Sequence, residues 1–389
     1  MAVARRTRIL IVDDSAVIRT LLRTVVSSDP SLEVAGTAAD GASALNSLPT
    51  IRPDLILLDV EMPVMNGLVT LRELRKRGFK MPVIMCSSLT QRGAKVTIEA
   101  LAGGASDYVT KPSGQASRES AIQTLSVELI PKIKALTANI AAASAPPRRV
   151  IPGTGAPPAG AAAPRPGSIY PMAQQQRVQP LSIQPTVLAI GVSTGGPAAL
   201  DVVLPALPSS FPLPVLIVQH MPELFTKLFA ERLNSRCHIP VYEASQGQTI
   251  VPGSVYIAKG NWHMEVVAGV LPSAPPSLHL TQGPPENHCR PAVDVLFRSI
   301  ARYYGAGTLS LILTGMGSDG MLGCRVIREQ GGGVLAQDEA TSTVWGMPGA
   351  VTNAGLAHKV LPLEAIAPEI MRIISKANSE AHEPRRLVV

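Results

Sequence analysis

From about Ala141 to Pro185 the chain is Ala, Pro, Gly and Gln with scattered Arg, and no apolar period runs through it. Such a stretch has no hydrophobic face to bury and reads as a semi-extended linker. It divides the 389 residues into two parts, each of which must build its own core. Apolar residues make up 46% of the chain, enough for two cores, while aromatics are only 3%, so aliphatic side chains must fill them. No internal repeat is evident.

The net charge of +7 raises the question of nucleic acid. The segment from Asn139 to Thr186 holds Arg148, Arg149, Arg165 and Arg177 with no acid, and so supplies +4 of that +7. The remaining parts are only mildly basic and offer few rings on which bases could stack, so no nucleic-acid partner is expected. Cys86, Cys237, Cys289 and Cys324 are widely spaced with no C-x-x-C pair, which fits reduced thiols and a cytoplasmic location. Arg5, Arg6 and Arg8 precede an apolar stretch that ends at Asp13-Asp14, too short and too soon charged for a signal peptide. Val178 to Leu200 is uncharged and long enough to span a bilayer. Its Pro180, Pro185, Gly191, Gly195, Gly196 and Pro197 suit a strand and a glycine turn instead, so membrane insertion is not expected.

Both parts alternate strand and helix patterns. In the first, short apolar runs at Arg8–Val12, Leu32–Ala35, Asp54–Asp59, Pro82–Cys86 and Ser106–Thr110 read as strands, with helical spacing such as Val17, Ile18, Leu21, Leu22, Val25 and Val26 between them. Five β/α units predict a doubly wound parallel sheet, whose ligands bind beyond the carboxyl ends of the strands. In the second part Val187–Val192, Pro214–Val218 and Ser310–Thr314 read as strands and Glu223–Leu233 as a helix. Val255–Ala258 and the alternation at His263–Val267 suggest an antiparallel portion. The expected fold class is therefore α/β with two doubly wound domains: an N-terminal five-stranded parallel sheet, and a C-terminal mostly parallel sheet with a small antiparallel portion.

Asp13, Asp14, Asp59, Ser87 and Lys111 all fall at strand ends of the first part. Clustered carboxylates repel one another, and a hard cation such as Mg2+ relieves this while also binding phosphate oxygens. Lys111 suits a phosphoryl group as a point charge and Ser87 as a hydrogen-bond donor. One strand-end Asp is often only a helix cap; five such groups together are poorly explained that way. Residues 8 to about 137 resemble a response-regulator receiver domain. The resemblance implies that Asp59 accepts phosphate from a histidine kinase and that Asp13, Asp14 and Asp59 hold Mg2+, with Glu61 lending its backbone carbonyl. It also makes Ser87 and Lys111 the sensors of the phosphoryl group and Tyr108 the aromatic switch. Asn66 stands before Gly67 where the family usually has Asp, and Asn tolerates the same turn.

In the second part Gly191-x-Ser193-x-Gly195 follows an apolar strand and precedes Pro197, a good first helical residue. A serine hydroxyl needs a base to become a nucleophile, and small neighbours permit the sharp turn that exposes it. Such turns also cradle phosphates or simply connect elements. His220 ends the next strand and Asp319 lies in a glycine-rich turn after a third; singly they read as a structural histidine and a helix cap, but together with Ser193 they make a Ser–His–Asp set at one sheet edge the expectation. His263, His279, His288 and Cys289 read as structural. The stretches Gly191–Pro197, Gln219–Phe225, Pro291–Ser299, Leu313–Gly320 and Ala336–Val351 resemble the catalytic domain of the protein-glutamate methylesterases of bacterial chemotaxis. That implies Ser193 as nucleophile, His220 as base, Asp319 as its orienting carboxylate, and Thr194 and Met316 around the oxyanion. It also implies no cofactor for ester hydrolysis, methyl-accepting chemoreceptors as substrate, a secondary deamidase activity on glutamine, and a monomer. The matching boundaries are a receiver at 5–138, a linker at 139–184, a catalytic domain at 185–378 and a tail at 379–389. Lys259, Gln246 and a long linker depart from the family pattern. A DNA-binding output fits poorly with a second α/β domain of low charge density, and a silent adaptor fits poorly with an intact Ser193, His220 and Asp319.

Overall fold

The computed structural model describes residues 5–112, 117–143, 183–269, 271 and 273–382. Most of the sequence assigned to the linker, and the end of the tail, lie outside the described residues. In the first part the chain runs β1 (Thr7–Val12), α1 (Ala16–Ser27), β2 (Leu32–Ala38), α2 (Gly41–Ile51), β3 (Leu55–Asp59), α3 (Gly67–Lys76), β4 (Val83–Ser87), α4 (Gln91–Ala102), β5 (Asp107–Thr110) and α5 (Arg118–Ala143). These strands form one five-stranded sheet in the order β2-β1-β3-β4-β5, all parallel. Strands β3 and β4 are buried along their whole length, which explains why they are continuous apolar runs rather than alternating ones. The order places the ends of β1 and β3 side by side, so Asp13 and Asp59 meet across the switch point. Asn66 is the N-cap of α3, its Oδ1 accepting the Val69 N–H at 3.0 Å.

The second part runs β6 (Val187–Val192), α6 (Gly196–Val203), β7 (Val215–Gln219), α7 (Glu223–Asn234), β8 (Val241–Glu243), β9 (Val255–Ile257), β10 (His263–Val267) and β11 (Ser277–Thr281). It continues with α8 (Val293–Tyr304), β12 (Thr308–Ile312), α9 (Met321–Glu329), β13 (Gly333–Gln337), α10 (Met347–Asn353), β14 (Lys359–Leu361) and α11 (Leu363–His382). Seven of these strands form a sheet in the order β14-β13-β12-β6-β7-β9-β8, and every pair in it is parallel. Among the described strands, only β10 and β11 pair antiparallel, as a separate two-stranded ribbon. The segment at Val255–Ala258 therefore belongs to the parallel sheet, contrary to the antiparallel expectation; three residues carry no sign of strand direction. Chain order reverses beside β6, so the ends of β12, β6 and β7 converge at one edge.

The two sheets are packed against each other through α4, which lies on α6 and α7. Tyr108 on β5 stacks on Phe225 of α7 with ring centroids 4.7 Å apart and planes 14° from parallel. The Thr194 hydroxyl donates to Asp107 Oδ2 at 2.7 Å across the same interface.

Candidate active site and acidic pocket

Ser193 sits immediately beyond β6, where its N–H donates to Thr314 O at 3.0 Å and ties the turn to the end of β12. Gly195 takes φ of 78°, a left-handed value that glycine adopts without steric cost, and α6 starts at once behind it. Gly315 closes the other side: a β-carbon there would lie 2.9 Å from Ser193 Cβ and 2.4 Å from Met347 Sδ. The turn therefore presents a half-buried hydroxyl with its neighbours pared back. Among the described residues the N–H groups of Thr194, Gly195 and Met316 donate to no other group. They are free to serve an anion beside Ser193.

His220 follows β7, and its N–H is fixed to Val192 O at 3.2 Å. Its Nε2 lies 2.9 Å from Asp319 Oδ2. Asp319 is heavily wired: Oδ2 also accepts the Val293 N–H at 2.7 Å, and Oδ1 accepts from Asp294 N–H, Gly320 N–H and Asn287 Nδ2. Burial alone would raise the Asp319 pKa, but the bond from His220 and the backbone N–H groups outweigh it and hold the carboxyl below the ordinary range. For His220 burial opposes the charged ring, yet the bonds to Asp319 and Cys289 prevail and lift its pKa to about 9. Gln219, buried beneath, donates from Nε2 to Ser193 O at 3.0 Å and so links the backbone of the serine turn to the strand carrying the histidine.

Ser193, His220 and Asp319 are thus gathered at one sheet edge. Among the described residues no hydrogen bond joins Ser193 Oγ to the ring. The remaining ring nitrogen, Nδ1, instead faces Cys289 Sγ at 3.6 Å. Cys289 was expected to be structural; the fold places it against the candidate base. Thr194 is placed beside the serine as expected, but its side chain is turned to Asp107 of the other part. Met316 stands at the rim, about one-third exposed at 36%. Asn287, which steadies Asp319, also escaped the sequence reading. His263 is held by Pro284 O and the Ala292 N–H, and His279 by Gln246. Lys259 pairs with Glu223 at 2.8 Å and lines a cleft with Gln91, Arg92 and Lys95 of α4.

In the first part Asp13 and Asp59 are buried, and Lys111 Nζ lies 2.7 Å from a carboxylate oxygen of each. Asp14 joins them, and one oxygen from each of the three carboxylates lies within 4.8 Å of the others. Asp13 Oδ2 has Lys111 as counter-ion but no directed hydrogen bond. Three negative charges against one positive leave about −2 in a pocket where Asp13 and Asp59 are buried and Asp14 is open to solvent, the charge and donor set that fit a hard divalent cation. Burial chiefly, and the Asp13 charge, raise the Asp59 pKa to about 6 against the pull of Lys111. Ser87 is buried beside this pocket and accepts a hydrogen bond from Thr97 Oγ1 at 2.8 Å. Glu61 donates its N–H to Asp59 Oδ1 at 3.4 Å.

Each of the two parts of the chain matches a known family. Residues 188–370 match the CheB methylesterase family, and residues 9–123 match the response regulator receiver domain. The protein-glutamate methylesterase/protein-glutamine glutaminase of Trichodesmium erythraeum is 46% identical over 367 residues, covering 94% of this chain and 99% of the relative. That of a Nocardioides species is 47% identical over 372 residues, covering 95% and 96%. Among solved structures, the catalytic domain of the Thermotoga maritima CheB methylesterase is 40% identical; the match covers 49% of this chain and 100% of that one, with a TM-score of 0.47.

Proposed function

The chain belongs to the protein-glutamate methylesterase/protein-glutamine glutaminase family, and on that premise we propose that Ser193 is its nucleophile, His220 its general base and acid, and Asp319 the carboxylate that orients the ring. The protein is a hydrolase of glutamate methyl esters with a receiver domain that governs it. Its substrate is the methylated chemoreceptor. The observation that carries the residue assignment is the 2.9 Å contact of His220 Nε2 with Asp319, set beside a serine on a glycine turn.

With Nε2 held by Asp319, Nδ1 is the nitrogen left for the serine proton. The ring exchanges Cys289 for Ser193 as substrate enters. Ser193 Oγ then attacks the ester carbonyl carbon while His220 takes its proton. Backbone N–H groups of Thr194, Gly195 and Met316 receive the oxyanion. The imidazolium returns the proton to the departing methoxy group and methanol leaves. Water, deprotonated by the same nitrogen, opens the acyl-enzyme and frees the glutamate carboxylate. With a glutamine side chain the leaving group is ammonia and the other steps are unchanged.

A neutral ring is required, and a ring with its pKa lifted to about 9 is protonated below that pH. Activity therefore rises with pH. The ascending limb of kcat/KM is expected well above 6.5, the ordinary histidine value, and toward 9. A pH–rate profile of methanol release checks this; a limb at 6.5 would contradict the His220–Asp319 pairing as the controlling one.

Asp59 is the proposed phosphate acceptor. Mg2+ held by Asp13, Asp14 and Asp59 with the Glu61 carbonyl would neutralise the phosphoryl oxygens. Lys111, Ser87 and Tyr108 would sense the product. The raised Asp59 pKa has a stability consequence. The folded chain keeps a proton that the unfolded chain releases between pH 3.8 and about 6, so stability falls as pH rises through that window. The full cost, at most about 3 kcal/mol, is present above it. Millimolar Mg2+ is expected to raise the melting temperature at pH 7.5, by the equivalent of roughly 1–3 kcal/mol, and to do little at pH 5. Asp59→Asn removes most of the difference. A calorimetric series over pH and Mg2+ reads this directly, and an equal Mg2+ effect at both pH values would rule it out.

Unphosphorylated, the receiver restrains the catalytic part through Asp107–Thr194 and Tyr108–Phe225, and phosphorylation of Asp59 shifts the population away from that packing.

A further inference from the structure

We propose that Cys289 is a modification site that switches the esterase off: its thiol shares His220 with Ser193 and is the group in this chain built to react with a hydroperoxide. The inference rests on the reading of His220 as the base of Ser193. Cys289 is not an isolated thiol. Cys289 Sγ, His220 and Asp319 stand in line, at 3.6 Å and 2.9 Å on the two ring nitrogens. That is the nucleophile–base–carboxylate arrangement that activates cysteine, drawn on the same base that activates the serine. The thiolate is the reactive form, so a base in contact with the sulfur is what selects one cysteine over others.

The loop carrying it is built to this purpose. Asn287 and His288 both take left-handed φ, 51° and 62°, between Glu286 and Cys289, which exchange backbone hydrogen bonds. Glu286 is clamped by Arg298 through two bonds, at 2.7 and 2.6 Å. The turn thereby delivers Asn287 to Asp319 and Cys289 to the opposite edge of the His220 ring. The other thiols differ. Cys86 and Cys324 are buried, and Cys237 is half-buried with no histidine or other base hydrogen-bonded to its sulfur among the described residues. Burial pushes the Cys237 thiol up to about 11, against the ready ionisation that reaction needs.

The chemistry balances without any further component. In the neutral form of the ring, the same form that serves Ser193, His220 Nδ1 takes the thiol proton. The sulfur attacks one peroxide oxygen, an S–O bond forms, and the O–O bond breaks. Sulfur is oxidised by two electrons and the hydroperoxide is reduced. The departing oxygen takes the proton from His220 and leaves as water or an alcohol, with sulfenic acid left on Cys289. That oxygen then occupies the space through which Nδ1 must reach Ser193.

The test uses the full chain, hydrogen peroxide, dimedone as a sulfenate trap and mass spectrometry, with methanol release from methylated receptor membranes measured in parallel without the trap. Cys289 is expected to acquire the adduct at least about tenfold faster than Cys237, and His220→Gln to abolish that preference. Methanol release falls in step with the fraction of Cys289 oxidised and returns with dithiothreitol. The release retained by Cys289→Ala or Cys289→Ser, whatever its level, no longer responds to peroxide. Equal labelling of Cys289 and Cys237, or release that persists with Cys289 fully oxidised, or peroxide loss in both variants at the wild-type rate, overturns the proposal. Wild type that releases no methanol before treatment fails the esterase reading instead, and the labelling comparison still decides whether Cys289 is the reactive thiol.

Discussion

Asp319→Asn is expected to lower kcat roughly 10³- to 10⁴-fold, because the amide no longer holds His220 in the tautomer that frees Nδ1 for the serine proton. The same change is expected to weaken the fold. Five groups donate to the two carboxylate oxygens: His220 Nε2, Asn287 Nδ2 and the N–H groups of Val293, Asp294 and Gly320. Whichever way an asparagine amide is turned, its NH2 faces donors and one or more of them loses its acceptor in a dry site. About 1–3 kcal/mol of stability should go with it. Kinetics on the folded fraction, with a denaturant melt on the same preparation, separate the two effects. A variant that melts early yet keeps near-normal kcat would mean that Asp319 is a scaffold for the loop at 287–294 and not a partner of the base.

The second large effect concerns restraint. Asp107→Ala removes the carboxylate that holds the Thr194 hydroxyl at 2.7 Å, one residue from the nucleophile. A charge-assisted hydrogen bond at a buried interface contributes about 1.5 kcal/mol or more, which corresponds to roughly a tenfold shift toward the released arrangement. Basal methanol release is expected to rise by that factor. Stimulation by a small-molecule phosphodonor should shrink correspondingly, since both act on one equilibrium with one ceiling. Lys132 keeps Glu128 as partner at 3.0 Å, so the receiver retains its local pairing. Normal phosphate uptake at Asp59 serves as the control for that. Unchanged basal release with full stimulation would show that the Asp107–Thr194 bond does not restrain the enzyme.

Much of this was legible in the residues because chemistry in doubly wound sheets collects where apolar strands stop. Arg8–Val12 running into Asp13, Leu55–Leu58 running into Asp59, and Val187–Val192 running into Ser193 announce both the strand and its functional end. What was not legible depends on contacts far apart in sequence. Cys289 and His220 are 69 positions apart, and Asp107 and Thr194 are 87 apart on different sheets. No periodicity links such pairs. Thr194 shows the limit well: the backbone position beside the serine followed from the turn, while the destination of its side chain followed only from the packing of α4 on α6 and α7. Strand direction failed for a related reason. The three residues of β9 are all buried and read the same in either direction, and only their pairing with β7 and β8 makes them parallel. The edge strand β14 is largely exposed and carries too little apolar signal to be read at all.

The most direct test of the central claim is methanol release from methylated receptor membranes, with a phosphodonor present, comparing the full chain with Ser193→Ala. The account expects steady release from the wild type and a loss of roughly 10³-fold or more in the variant, with unchanged phosphate loading of Asp59. Equal release from both proteins would contradict it, because the ester would then be hydrolysed without the serine that the glycine turn, His220 and Asp319 are arranged around.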